Sequence, residues 1–309
     1  WMSSMLDSTP FEATFTIHDF SSNNEQPGAV CVPLAAAQML KIFQLEDWEM
    51  KAKVRVSRAD VNEKIHVGGE MTINAETGNY VNFPYPLTSI RSSIEFDQSD
   101  IKIVSLQADG SNNAKVFISG DVTVITDGVI VALDLTAGDA TIDQQLHDAV
   151  PNSLARVMDS LFDQDAYKRI IELENELHGS TFSLGGKLDL QLKIEHDDRT
   201  DSGVELSGSI AYRDIGILLK DFQYPLVLRN GHVILDNKGL HVPEDSFIRF
   251  EGYSGGKGWA AGSIVFLEGG GASPVLSIKL ESENANPILV EAVSESAGES
   301  YELAAGILG

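Results

Sequence analysis

One cysteine, Cys31, stands in 309 residues, so no disulfide forms within the chain. That fits a reducing compartment, and equally an oxidising one in which the fold needs no staple. Basic residues are scarce: 22 Lys and Arg against 46 Asp and Glu give a formal charge of −24. A chain this acidic is repelled by nucleic acid and by anionic membrane surfaces. The charge serves solubility and by itself nominates no partner. There is no N-x-S/T sequon. The opening "WMSSML" lacks the basic and long apolar regions of a signal peptide. The most apolar stretch, Ala29 to Phe43, is too short for a membrane span and is interrupted by Pro33, Gln38 and Lys41. Both ends read as cuts through a longer protein.

Chemical motifs are missing too. "GYSGG" (Gly252 to Gly256) matches the spacing of a nucleophile elbow, but strand-like residues flank it on both sides and no histidine follows it. Ser254 is read as a loop residue. The "GGKG" in that loop lacks P-loop spacing. The seven histidines form no H-E-x-x-H and no close pair with the cysteine. "HDD" at His196 follows a strand and reads as a solvated turn. Carboxylates are abundant, and no pair stands out. The chain is expected not to be an enzyme and to carry no cofactor and no metal.

What is there is alternation. Met50, Ala52, Val54 and Val56 alternate with Lys51, Lys53 and Arg55, and Leu188, Leu190, Leu192 and Ile194 with Asp189, Gln191, Lys193 and Glu195. A period of two puts all the apolar side chains on one face of a strand. The charged face must meet water, as in an antiparallel sheet covered on one side. "ETGN", "ADGSNN", "RNG" and "DNKG" supply turns between the runs.

The pattern also repeats. "FPYPL" at Phe83 recurs as "FQYPL" at Phe222, an offset of 139 (222 − 83). At that offset Gly69 meets Gly208, Met71 meets Ile210, and Asp97 meets Asp236. With one gap "MKAKVRVSR" aligns on "DLQLKIEHD", and after a small insertion Gly120 aligns on Gly262. "VPLAAAQMLKIF" (Val32 to Phe43) resembles "VPNSLARVMDSLF" (Val150 to Phe162). The shared order is a helix and then about five strands. Pro86 and Pro225 donate nothing to a ladder, so they belong at a strand start or edge. Pro151 suits a first helical position, followed by a stripe of Leu154, Val157, Met158, Leu161 and Phe162. A second helix is expected through Ala166, Ile170, Leu173 and Leu177, stopped by Gly179. The helices are read as lids on the edge or end of the sheet.

The predicted fold is mainly β with a few helices: repeated antiparallel meanders forming a curved, one-sided apolar sheet or groove. Residues 1–140 form a first unit, incomplete at its N-terminal side. Residues 141–309 form a helical segment with a second unit, or one sheet runs through both. The apolar face either packs as ordinary core or curls into a trough that holds something apolar. Met50, Ala52, Val54, Val56, Leu188, Leu190, Leu192, Ile194, Ile210 and Tyr212 are the candidate lining.

The segment "VIVALDLTAGDATIDQQLHDAVPNSLARVMDSL" (Val129 to Leu161), with "GGKLDLQLKIEH" after it, resembles the unit of AsmA-like envelope proteins, related to TamB. Asp143, Leu146, Ala149, Pro151 and the Gly185–Gly186 pair sit where that pattern places them. The first unit departs from it: Ser92 stands where the second has Gly231. The resemblance implies a long β-groove protein of the Gram-negative type of envelope. Such a protein lies in the periplasm and is anchored in the inner membrane through parts outside this chain. It implies a phospholipid or other acyl-chain lipid as partner, carried between membranes and involved in outer-membrane biogenesis, with no nucleic acid. The alternative is a structural or scaffolding module whose sheet face is closed by its own core.

Overall fold

The computed structural model describes residues 10–22, 34–169, 182–200, 203–220, 222–243, 246–252, 255–267, 272–281, 288–289 and 292. The protein is mainly β, with its strands in one large antiparallel sheet. It divides into two compact units, residues 1–138 with 191–206, and residues 139–190 with 207–309.

The first unit contains β1 (Phe11–Ser21), α1 (Leu34–Ile42), β2 (Glu46–Arg58), β3 (His66–Tyr80), β4 (Phe83–Asp97), β5 (Asp100–Asp109), β6 (Lys115–Ile125) and most of β7 (Gly128–Thr141). Each strand pairs antiparallel with the next, from β1 to β7. Met50, Ala52 and Val54 of β2 are buried while Lys51, Lys53 and Arg55 are exposed, as the alternation predicts. One row crosses the sheet as Val54–Gly69–Phe96–Ile101–Val122–Val131, each residue directly opposite the next. Every side chain in it is buried, and Gly69 is half-buried.

Phe83, Tyr85 and Leu87 face inward at the start of β4, and Pro84 and Pro86 face solvent. Pro86 lies in a break of the β3–β4 register, between the pairs Tyr80↔Phe83 and Gly78↔Leu87. Its missing N–H therefore costs no ladder bond. Helix α1 buries Met39, Ile42 and Phe43 at this corner. The backbone of Asn79 donates to the Phe43 carbonyl at 2.9 Å and that of Val81 to the Ile42 carbonyl at 2.9 Å. The Phe43 and Tyr80 rings meet at 5.8 Å. The helix is a lid on the end of the sheet.

The second unit contains α2 (Gln144–Ala149), α3 (Asn152–Leu161), β10 (Phe222–Leu228), β11 (Gly231–Asp236), β12 (Gly239–His241), β13 (Ile248–Gly252), β14 (Lys257–Phe266) and β15 (Ala272–Glu281). Two strands are divided between the units: β8 (Gly185–Asp197) after Leu190, and β9 (Val204–Leu219) after Leu206. Strand β9 is long enough to take β10 on its later half and β11 on its earlier half. Strand β14 likewise takes β13 and β12 along one side and β15 along the other.

Asp143 caps α2, its carboxylate accepting from the Leu146 backbone at 2.9 Å. Pro151 is the residue before α3 rather than its first residue, because its extended ψ of 150° lies outside the helix. Its carbonyl accepts from Leu154 and Ala155. Residues 164–169 are helical, with Ala166 buried against Leu218. Ile170, Leu173, Leu177 and Gly179 lie outside the described residues.

Gly120 holds φ at +139°, and a Cβ there would stand 2.2 Å from the Ala132 carbonyl oxygen of the neighbouring strand. Gly120→Ala is expected to lose about 1–3 kcal/mol of stability, read as a lower urea midpoint.

Candidate functional site

The candidate lining lies on the apolar face, and the structure buries it. Met50, Ala52, Val54, Leu188, Leu190, Leu192, Ile194 and Tyr212 are between 0 and 8% exposed. Val56 and Ile210 are half-buried. Met50, Ala52, Val54 and Val56 face Ile73, Met71, Gly69 and Val67 of β3 in turn, which assembles one apolar layer in the first unit. Leu192 and Ile194 belong to that unit, while Leu188, Leu190, Ile210 and Tyr212 belong to the other. In the first unit the layer thins at its β1 edge. Phe15, on the outermost strand of its row, is 56% exposed.

Tyr212 carries a feature that periodicity does not reveal. Its hydroxyl is buried and has no hydrogen-bond partner among the described residues. Burial pushes its pKa up to about 12. The ring lies over Gly231, directly opposite on β11, where a Cβ would stand 2.2 Å from the hydroxyl oxygen. In the first unit Ser92 faces Ile73, and its buried hydroxyl donates to the Ile73 carbonyl at 3.1 Å. Glycine makes room for a ring in one case, and serine satisfies itself on the neighbouring backbone in the other.

The charged face holds what the sequence reading missed. A cleft of about 790 Å³ opens there in the first unit, lined among others by Lys53, Arg55, Glu70, Glu95, Asp97 and Lys102. Lys53, Glu70, Glu95, Lys102 and Asp121 are direct cross-strand neighbours in that order. Two glutamates face each other, and a lysine flanks each of them. The cleft brings together exposed charges of both signs, and on its wall the Thr123 hydroxyl donates to the Asp100 carboxylate at 2.9 Å.

The histidines are organised by carboxylates. His196 is read from sequence as part of a solvated turn, and its side chain is instead only 11% exposed. Its Nδ1 stands 3.0 Å from the Gly203 carbonyl and its Nε2 2.8 Å from Asp198. Both partners only accept, so the arrangement favours the doubly protonated ring. The other oxygen of Asp198 accepts from the Val129 backbone at 2.7 Å, tying the turn after β8 to the start of β7. In the second unit His147 lies between Asp148 at 3.1 Å and Asp159 at 3.0 Å, joining α2 to α3. The Asp148 hydrogen bond is the main cause that raises the His147 pKa. For His196, burial opposes protonation, and the bonds to Gly203 and Asp198 outweigh it, so its pKa is raised as well. Arg199 donates to Asp197 from side chain and backbone and lowers that carboxyl to about 2.

Ser254 lies outside the described residues. Among those described, no group of three or more His, Cys, Asp or Glu could hold a metal ion, and no helix is long and apolar enough to cross a membrane. No family model, curated protein or solved structure matches this chain.

The two histidine clamps predict a pH dependence. A folded pKa raised above 6.5 gives stability that is complete below that value and is lost as pH rises through the folded pKa. The thermal midpoints of His196→Gln and His147→Gln are therefore expected to fall below wild type at about pH 5.5 and to converge on it by about pH 8.5. Differential scanning calorimetry across that range checks both variants.

Proposed function

We propose that the chain is a non-enzymatic structural or interaction module of a cell-envelope protein, built from one helix-and-meander unit used twice, with its apolar face closed by its own core. The observation that carries this reading is the burial of the candidate lining. Eight of its ten side chains are at most 8% exposed, so the face behaves as sheet core. An open apolar trough would leave such side chains wet. The envelope setting rests on the resemblance alone.

The pairing registers support the duplication. Tyr80↔Phe83 and Leu219↔Phe222 close equivalent hairpins, and Gly78↔Leu87 and Ile217↔Leu226 follow the same break. Ile73↔Ser92 matches Tyr212↔Gly231, and Asp97↔Asp100 matches Asp236↔Gly239. All stand at the offset of 139 (219 − 80). Further on, Gly120↔Leu133 matches Gly262↔Leu276, and both glycines hold a positive φ. In this reading β4 corresponds to β10 and β11 together, and β5 to β12 and β13 together. The helix preceding each unit also docks on the same corner: Val81 donates to Ile42, and Lys220 to Ser160. The F-x-Y-P-L step is thus an architectural corner.

A second reading, an acyl-lipid conduit, draws on the place where the layer is not closed. Phe15 leaves apolar surface open at the β1 edge, where an acyl chain has access.

Two measurements separate the readings. Protein purified without detergent is expected to release no stoichiometric acyl lipid in mass spectrometry; about one lipid per chain would establish the conduit instead. Leu192→Asp is expected to cost about 3 kcal/mol or more, because it buries an unpaired carboxylate in packed core. A variant that keeps its thermal midpoint would place Leu192 on an open surface and sink the closed-core reading.

A further inference from the structure

Strand β1 has one neighbour among the described residues, β2. A row of backbone N–H and C=O groups lines its other side, and such a row is a template for another strand. The guards on its first half are few. Phe11 to Ile17 contains no lysine, arginine or proline, and its ladder to β2 is regular up to the break between Ile17 and Phe20. The apolar layer also runs out at this edge. Val54, Phe96, Ile101, Val122 and Val131 in the Phe15 row are buried, and Phe15 is more than half exposed.

We propose that a second copy of the chain pairs its own β1 antiparallel to this one, about a two-fold axis at Phe15. The self-complementarity of the strand argues for this occupant. With Phe15 opposite Phe15, Glu12 meets His18, Ala13 meets Ile17 and Thr14 meets Thr16. Directly opposed residues of antiparallel strands point to one face. The aromatic pair and the Ala–Ile pairs therefore fall on the apolar face, and the Glu–His and Thr–Thr pairs on the solvated one. Aromatic and threonine pairs are each favourable across strands, and Glu12 keeps its ion pair with Arg55 of β2. A slip of one residue sets Phe15 against threonine and breaks the face. A slip of two parts the two Phe15 rings. The symmetry keeps both apolar layers on one side, so the two exposed rings cover each other. The charge of −24 on each copy opposes the association, so added salt strengthens it. The inference rests on the interaction-module reading, and its test is blind to lipid.

Sedimentation velocity of the whole chain, from about 5 to about 500 µM, is expected to show a dimer that grows with concentration and tightens between about 0.15 and 0.5 M salt. Phe15→Lys is expected to leave a monomer with unchanged far-UV circular dichroism. In a Cys31→Ser background, Phe15→Cys is expected to oxidise to a covalent dimer and Thr16→Cys is not, because only residue 15 meets itself within disulfide reach. A wild-type monomer at every concentration would assign the edge to some other strand and overturn the proposal. So would a dimer that survives Phe15→Lys, or one in which residue 15 fails to cross-link. Should Phe15→Lys not fold, the cross-linking pair decides.

Discussion

Register is the constraint on which the rest of this fold depends. Each strand has one dry face and one wet one, and a slip of a single residue exchanges them. The dry face decides, and the wet face adapts. Glu70 stands directly opposite Glu95 because Gly69 and Met71 must meet Phe96 and Ile94 on the other side. Like charges so placed repel, and Lys53 and Lys102 lie one strand further out on either flank. The outer face therefore reads as charge arranged around a register set elsewhere.

The corners and clamps follow from that constraint. A long antiparallel ladder needs its ends fixed, and in the first unit the β3–β4 end is fixed twice. Pro86 sits in a register break where no N–H is wanted, and the last turn of α1 takes two backbone bonds from the hairpin. His196 does comparable work at the turn after β8, which it closes onto Gly203 while Asp198 holds the start of β7. The exposed ion pairs, such as Lys168 with Asp165, add little to stability.

Much of this was legible before any coordinates. Alternation alone picks out the buried sides of β2 and β8, and each F-x-Y-P-L segment opens a strand, β4 at Phe83 and β10 at Phe222. Other features were not legible, for physical reasons. Periodicity tells which side of a strand is apolar and is silent on what lies against it, so Met50 and Leu192 fit an open trough as well as a closed core. Pro151 is displaced by one residue because proline suits the residue before a helix as well as its first turn. His196 depends on a carbonyl seven residues away, brought back by a turn whose path no local pattern gives. The cleft on the charged face gathers residues from β1 to β6, and no local pattern of residue types signals that gathering.

Tyr212 and Gly231 form a pair whose two halves are not independent. The hydroxyl occupies the volume that any side chain at 231 would need, so replacement of the glycine forces the tyrosine ring to move. Shrinking residue 212 first opens the way, and afterwards position 231 drifts freely. Sequence change at this spot therefore has an order. The easier route out of the tyrosine–glycine state runs through position 212, and the two positions are expected to vary together for reasons of packing.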